Sequence, residues 1–230
     1  MRVQFLVLAC SFKHGERCVA GIDLVNRQLI RLVSHNEETN FAIPTNECRI
    51  NGRMLLPLDI IEIEIIGKAP RLGAQTENYF VEFPLIKKYI GRGAEKDIKP
   101  YKFRSEKSPY PFDTKDSFLS HGAYFYKDYS LCLIPAYSLM LKSVKNSEGK
   151  DKTKVSFNVY KYNKEIVTLE DYYVTDPEYC IFDGGNRVGL QTLGKAYLLI
   201  SLGQDDDSNS YYKYVSGIID FTKREDFFAE

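Results

Sequence analysis

The stretch DIIEIEII at residues 59–66 decides the fold class of this chain. Apolar and acidic residues alternate along it, which is the period of a β-strand with one face in a core. Its β-branched residues also favour strands. Three isoleucines share one face and two glutamates the other: Ile61, Ile63 and Ile65 against Glu62 and Glu64. The stretch therefore predicts a half-buried strand.

Similar segments lie on both sides of this stretch. The first group of predicted strands comprises residues 3–9, 18–22, 28–33, 59–66 and 79–83. The second group comprises residues 130–134, 138–144, 154–162, 166–174, 196–201 and 211–220. Residues 84–129 lie between them and carry many charges and the prolines Pro84, Pro100, Pro109 and Pro111. This middle segment predicts a connector with one short helix near residues 84–90.

Two groups of short strands around a long polar connector favour two small closed sheets over one large sandwich. Closure removes exposed edge strands, which suits short β modules. We therefore predict an all-β fold with minor α content. The predicted boundaries are a first barrel at 1–85, a Pro-rich, basic connector at 86–129 and a second barrel at 130–230.

The overall charge excludes a generally polycationic protein. Among 230 residues, 31 Lys and Arg balance 31 Asp and Glu, so the formal net charge is zero. Long-range attraction to a polyanion must then come from a local excess of cations. Any nucleic-acid surface is therefore expected to be a patch.

The cysteines and known catalytic motifs point away from metal and nucleotide enzymes. The five cysteines form no CxxC pair, and the three histidines do not lie at zinc-ligand spacing from them. The sequence has no Walker A, GxGxxG or HExxH motif. No apolar run reaches the 18 residues of a membrane helix. We predict a cytoplasmic protein without membrane contact, catalytic residues, metal or cofactor.

Seven short stretches, taken together, resemble a known family. They are ACSFKHGERCVAGID at 9–23, RQLIRLVS at 27–34, DIIEIEI at 59–65, QTENY at 75–79, VTDPEY at 174–179, AYLLISLG at 196–203 and YYKYVSGII at 211–219. In this order and spacing the chain resembles the prokaryotic dual OB domain family, from about Val3 to Ile219. Family members often carry Trp in the third strand just before Ile-Arg, where this chain has Leu29. If that aromatic stacks on a ligand, the contact is lost or moved here.

The resemblance implies that each half folds as an OB-like β-barrel. It also implies a noncatalytic prokaryotic module that works with other proteins in antiviral defence or nucleic-acid handling. From it we predict a nucleic-acid-binding or sensing subunit of a complex, with single-stranded nucleic acid and an effector protein encoded nearby as partners. The alternative is a protein–protein adaptor that binds or regulates an effector enzyme without contacting nucleic acid. The zero net charge favours the adaptor, and the basic, aromatic stretches favour nucleic acid.

The first candidate site surrounds the first hairpin. Lys13, His14 and Arg17 lie around Gly15, and Arg31 lies one strand away. Cations at a glycine turn can hold a phosphate. The alternatives are a solvated hairpin tip with Cys18 packed inward, or a nucleophilic Cys18–His14 pair, which lacks a visible orienting group.

The second candidate site is the connector, where cations are interleaved with aromatic rings. Its predicted nucleic-acid ligands are Lys87, Lys88, Arg92, Tyr101 and Lys102. Cations that hold phosphates and rings that stack on bases are what sequence-tolerant single-strand binding requires. The alternative is a solvated connector whose lysines keep the chain soluble.

Two further features are candidates on the same reasoning. A possible second basic patch comprises Lys150, Lys152, Lys154 and Lys213. The amides of Gln75 and Asn78 are able to read base edges, but a polar tetrad at residues 75–78 more often ties down a turn through side chain–backbone bonds. We favour that structural role.

Overall fold

The computed structural model of the chain describes residues 1–71, 73, 75–101, 108, 110–120, 128–145, 149–161, 163–180, 191–204 and 210–221. Within these residues it contains two six-stranded sheets and one two-stranded hairpin. The strands before the helix are β1 (Arg2–Lys13), β2 (Glu16–Asp23), β3 (Gln28–Val33), β4 (Arg49–Ile50), β5 (Arg53–Met54), β6 (Asp59–Lys68), β7 (Asn78–Val81) and β8 (Lys88–Arg92). The helix is α1 (Glu95–Ile98). The later strands are β9 (Phe118–Ser120), β10 (Leu131–Lys145), β11 (Asp151–Tyr160), β12 (Ile166–Val174), β13 (Gln191–Gln204) and β14 (Ser210–Ile219).

The first sheet closes into a five-stranded barrel. Strand β1 pairs antiparallel with both β2 and β6, and β3 pairs parallel with β7, which gives the cyclic order β1-β2-β3-β7-β6. Ile61, Ile63 and Ile65 of the predicted strand at 59–66 point into this barrel, where Ile61 and Ile63 are fully buried. Phe5, Val7 and Val19 meet them in the same core. The alternation in the sequence is therefore confirmed by the burial pattern.

The second sheet closes with the same connectivity. Strand β10 pairs antiparallel with β11 and β13, and β12 pairs parallel with β14. The cyclic order is β12-β11-β10-β13-β14. The two strands predicted at 130–134 and 138–144 form the single strand β10, which continues through Pro135 with an irregularity between Tyr137 and Met140. The prediction of two OB-like barrels in a mostly β chain is thus confirmed.

The segment predicted as a connector contributes a strand to each sheet. Strand β8 pairs with the first half of β6, and β9 pairs with β14. The helix predicted near residues 84–90 is wrong, because Lys88–Arg92 is extended and the helix lies at Glu95–Ile98. Strand β7 is short and pairs only with the far end of β6, at Ile65 and beyond. The backbone of residues 59–62 in β6 is therefore left to pair with β8. The predicted domain boundaries stay a prediction.

The barrels are packed directly on each other. A third hydrophobic cluster joins Leu6 and Leu8 of β1 to Leu133 and Leu199 of the second barrel. At Gly217 the backbones approach so closely that a Cβ would lie 2.1 Å from the Leu8 carbonyl oxygen. The two barrels therefore share an apolar interface. Every helix in the described part of the chain is too short to cross a bilayer.

Candidate nucleic-acid interface

A cavity of about 590 Å³ lies where the two barrels meet. Such volumes are typical of small-molecule sites. Three cationic side chains line it, and no acidic residue does so within the described part of the chain. The first barrel contributes Ser11, Phe12, Lys13, His14, Cys18, Arg31, Asn40, Gly73 and Gln75, and the second contributes Lys152, Thr175, Ser201, Leu202, Gly203, Tyr211 and Tyr214.

Arg31 is the buried cation of this cavity, with 1% of its surface exposed. Its Nη1 donates to Asn78 Oδ1 at 3.0 Å and to Ser130 Oγ at 3.2 Å. Its Nε and Nη2 are buried and have no hydrogen-bond partner among the described residues. Buried donors without partners are costly, so these two atoms are well suited to an acceptor from a ligand.

Glu77 supports Arg31 from outside the cavity lining. Its carboxylate accepts from the Ser130 backbone N–H at 2.6 Å, the Ser130 hydroxyl at 2.6 Å and the Leu131 N–H at 3.1 Å. Ser130 therefore lies between the carboxylate and the guanidinium. This arrangement places a negative charge near Arg31 while the Nε and Nη2 atoms keep their hydrogens unpaired.

The hydrogen bonds of the tetrad at 75–78 are those of a structural tie. Thr76 donates to the Asp128 carbonyl at 3.0 Å, and Asn78 Nδ2 donates to Gln75 Oε1 at 3.3 Å. Together with Glu77 they join the end of the first barrel to the start of the second. Gln75 also lines the cavity, so one member of the tetrad faces it as well.

The turn between β1 and β2 supplies the second cation of the cavity. Lys13 is half-buried, and burial lowers the pKa of its ammonium; the charge of Arg31 lowers it further, while Cys18 acts in the opposite direction. His14 follows at φ 45° before Gly15 at φ 80°. The His14 Nε2 lies 3.3 Å from Asn40 Nδ2. The hairpin thus brings positive charge and ring nitrogens to the cavity.

The second barrel contributes the aromatic side of the cavity. Tyr211 is buried and Tyr214 is half-buried. Gly203 makes room for the Tyr214 ring, because a Cβ there would lie 2.7 Å from its Cε2. Lys152 is exposed beside them and adds a third cation. Neither tyrosine was predicted as a site residue, although three tyrosines within four residues at 211–214 are a visible signal in the sequence.

Arg17 points away from this cavity. Its guanidinium lies 4.4 Å from the centre of the Phe12 ring. It lines a smaller pocket between the barrels together with Asp176 and Glu178. Asp176 accepts from the Glu178 and Ile218 backbone N–H groups, so its carboxylate ties the turn at residues 176–179 to β14.

The four predicted connector ligands that the structure describes do not line the cavity either. Lys87 is half-buried and Lys88 is exposed on β8. Arg92 forms an ion pair with the buried Asp59 at 3.2 Å, and Tyr101 packs against the apolar cluster between the barrels. Lys102 lies outside the described residues.

The predicted second patch is divided by the structure. Lys150 and Lys152 are exposed, whereas the Lys154 ammonium lies 4.9 Å from the centre of the Tyr173 ring and 3.9 Å from Asp171. Lys213 is fully buried and donates to the Thr114 carbonyl oxygen at 2.7 Å. Lys213 is therefore not part of a surface patch, because the segment before β9 covers it.

Comparison with known families agrees with this architecture. The family model described as the dual OB-containing domain matches residues 3–218. The chain belongs to this dual OB-containing domain family. No curated protein and no solved structure matches it. Leu29, at the position where family members often carry Trp, packs against the apolar cluster between the barrels.

Proposed function

We propose that this dual OB protein is a noncatalytic nucleic-acid-binding or sensing subunit that holds a single strand where its two barrels meet. The observation that carries the proposal is the cavity between the barrels, lined by Lys13, Arg31 and Lys152 together with the ring of Tyr214. OB barrels hold single strands with a positively charged groove and aromatic side chains on which bases stack.

The charge distribution supports this location. The whole chain is neutral, yet the described lining of the cavity carries three cationic side chains and no carboxylate. Cations attract phosphates, and stacking on an aromatic ring contributes about 1–3 kcal/mol per base. Both contributions come together at this cavity, whereas Arg92 in the connector is already paired with Asp59.

Fluorescence anisotropy with labelled single-stranded DNA and RNA at several salt concentrations tests the proposal. Removing Lys13 and Lys152 together by substitution with Ala should weaken binding to all sequences. It should also flatten the salt slope by about 1.4, since each phosphate contact contributes about 0.7 for single strands.

The matched control removes the same charge elsewhere. Lys88→Ala with Lys164→Ala takes away two exposed lysines, one on β8 and one in the turn after β11. This control should bind like the unmodified protein. An unchanged salt slope in the Lys13 and Lys152 variant, with a reduced slope in the control, would contradict binding at the cavity. It would indicate that the strand binds along the connector, as the sequence predicted.

The second candidate function is a protein–protein adaptor for an effector encoded nearby in a prokaryotic defence system. Apolar side chains are exposed together on the second barrel, where Tyr160 pairs with Ile166 and contacts Tyr137 edge-on at 4.8 Å. Co-purification from the native operon tests it. A complex that forms without nucleic acid and survives nuclease treatment would favour the adaptor.

A further inference from the structure

We propose that the cavity between the barrels recognises a nucleotide through its terminal phosphate, with Arg31 as the phosphate-binding residue. The nucleotide is either free or the last one of a strand. If the nucleotide is the last one of a strand, the inference rests on the proposed function. If the nucleotide is free, the inference is independent of that function.

The geometry of the guanidinium carries the inference. The Nη1 atom of Arg31 is occupied by Asn78 and Ser130. The unpartnered atoms are Nε and Nη2. Their N–H groups point in parallel from one edge of the planar group, which is the fork that binds two phosphate oxygens at once. The edge that the protein leaves unpaired is therefore the one built for bidentate recognition.

Burial makes this fork different from a surface arginine. Arg31 is 99% removed from solvent by the contact between the barrels, yet two of its donors lack partners among the described residues. An arginine with a purely structural role would place this edge against carbonyl or carboxylate oxygens. A phosphate oxygen pair supplies the missing acceptors.

The charge of the cavity fits a terminal phosphate better than an internal one. A terminal phosphate monoester carries about −1.5 to −2 at pH 7, whereas an internal phosphodiester carries a single negative charge. Arg31, Lys13 and Lys152 face it without a carboxylate in the described lining. The volume of about 590 Å³ also suits one nucleotide, since ligand sites span about 300–1,000 Å³.

The second barrel completes the nucleotide site. Tyr214 lies in the lining as the aromatic residue on which the base would stack, and Thr175 and Ser201 lie in the same lining. Stacking of this kind does not depend on the identity of the base. We therefore expect preference for the phosphate and little preference among bases.

The experiment compares labelled oligonucleotides that differ only at their ends. Strands with a 5′-phosphate, a 3′-phosphate or no terminal phosphate are titrated with the protein by anisotropy. A phosphorylated end should bind at least tenfold more tightly than the unphosphorylated strand. Arg31→Lys keeps the charge and loses the fork, so it should abolish that difference. Arg2→Lys, at an exposed arginine, should leave it unchanged.

Competition on the unmodified protein keeps the inference testable if the Arg31 variant does not fold. A nucleoside monophosphate should displace the phosphorylated strand, and the matching nucleoside should not. Inorganic phosphate should compete more weakly than the monophosphate, because it lacks the base.

The outcomes separate the inference from the proposed function. Equal binding of phosphorylated and unphosphorylated strands, without competition by the monophosphate, overturns the inference and leaves strand binding in place. Binding of the monophosphate without binding of any strand supports the inference and contradicts the strand function. Absence of all binding overturns both.

Discussion

Each barrel is closed by a pair of parallel strands at the corresponding place in its topology, but the two pairs carry different side chains. In the first barrel the closing pair is Arg31 opposite Asn78, on β3 and β7. In the second barrel it is Tyr173 opposite Tyr214, on β12 and β14. Arg31 and Tyr214 line the same cavity. The parallel strand pair thus supplies a cation from β3 in the first barrel and an aromatic ring from β14 in the second barrel.

This comparison shows how a repeated topology makes a site that neither barrel contains alone. The cations Lys13 and Arg31 come from the first barrel, and the tyrosines come from the second. Their meeting depends on the apolar contact between β1 and the second barrel. Substitutions at the contact between the barrels should therefore have larger effects than substitutions in the cavity that this contact creates.

Gly217→Ala should have the largest effect, because it forces the barrels apart. A Cβ at this position would lie 2.1 Å from the Leu8 carbonyl oxygen, which belongs to the backbone of the other barrel and cannot rotate away. We expect the free energy of unfolding in urea to fall by about 3 kcal/mol or more, at the upper end for overpacking. Gly194→Ala is the control, since a Cβ there meets nothing within 4 Å. Equal stability of the two variants would contradict the close backbone contact.

Glu77→Ala should lower the free energy of unfolding by a smaller amount, because it removes the polar tie between the barrels. It leaves the backbone N–H groups of Ser130 and Leu131 without their acceptor. Each unsatisfied buried donor costs about 1–3 kcal/mol, and partial access to water reduces this, so we expect a loss of about 2 kcal/mol. Glu82→Ala removes an exposed carboxylate just after β7 and serves as the control in the same urea titration. A loss of equal size in the control would show that the tie carries no stability.

Tyr197→Phe should have a still smaller effect that depends on pH. The Tyr197 hydroxyl donates to Glu95 Oε1 at 2.7 Å, and burial together with this bond raises the pKa of Tyr197 to about 12. The folded state therefore holds the proton more tightly than the unfolded state, whose tyrosine pKa is about 10. The hydrogen bond of the Tyr197 hydroxyl contributes about 1 kcal/mol to the free energy of unfolding. This contribution is fully present below pH 10 and is lost as the pH rises through 12.

Chemical unfolding at pH 8 and at pH 11 measures this effect. The unmodified protein should lose more stability between these two values than Tyr197→Phe does. Tyr160→Phe, at an exposed tyrosine of β11, should lose as much as the unmodified protein. Identical pH dependence of all three proteins would contradict the role of the hydroxyl.

The smallest predicted effect concerns Lys13 and the phosphate. Burial lowers the pKa of Lys13, and a bound phosphate should raise it again. Affinity for a phosphorylated strand is then fully present below the pKa of the free protein and declines as the pH rises through the pKa of the complex. We expect the affinity to fall by less than tenfold as the pH is raised above neutral, which is less than about 1.4 kcal/mol. Lys13→Arg, which keeps its charge at these pH values, should remove the decline in anisotropy titrations.

Local alternation was sufficient to predict much of the fold. The strands at 28–33 and 166–174 have the predicted bounds, because their patterns depend only on neighbouring residues. Strand β8 was missed because it forms only where the short β7 leaves part of β6 unpaired. Whether part of β6 is left unpaired depends on the assembled sheet and not on the local sequence.

The site was predicted only in part for a related reason. Lys13, His14, Arg31 and Lys152 were all candidates, but they were assigned to two separate patches, and the structure brings them to one cavity. Arg31 is also more deeply buried than a site at the first hairpin suggests, because Ser130 of the second barrel covers it. Contacts between barrels leave no periodic signal in the sequence.

The most direct test of the central claim is the NMR signal of the Arg31 side-chain Nε–H. The account predicts that this resonance shifts downfield and exchanges more slowly when a 5′-phosphorylated oligonucleotide or a nucleoside monophosphate is added. The Nε–H of Arg17, which lies in the separate pocket with Asp176 and Glu178, is the internal reference and should not respond. Binding that shifts other resonances and leaves the Arg31 Nε–H unchanged would contradict the claim that the two barrels form one phosphate-binding site.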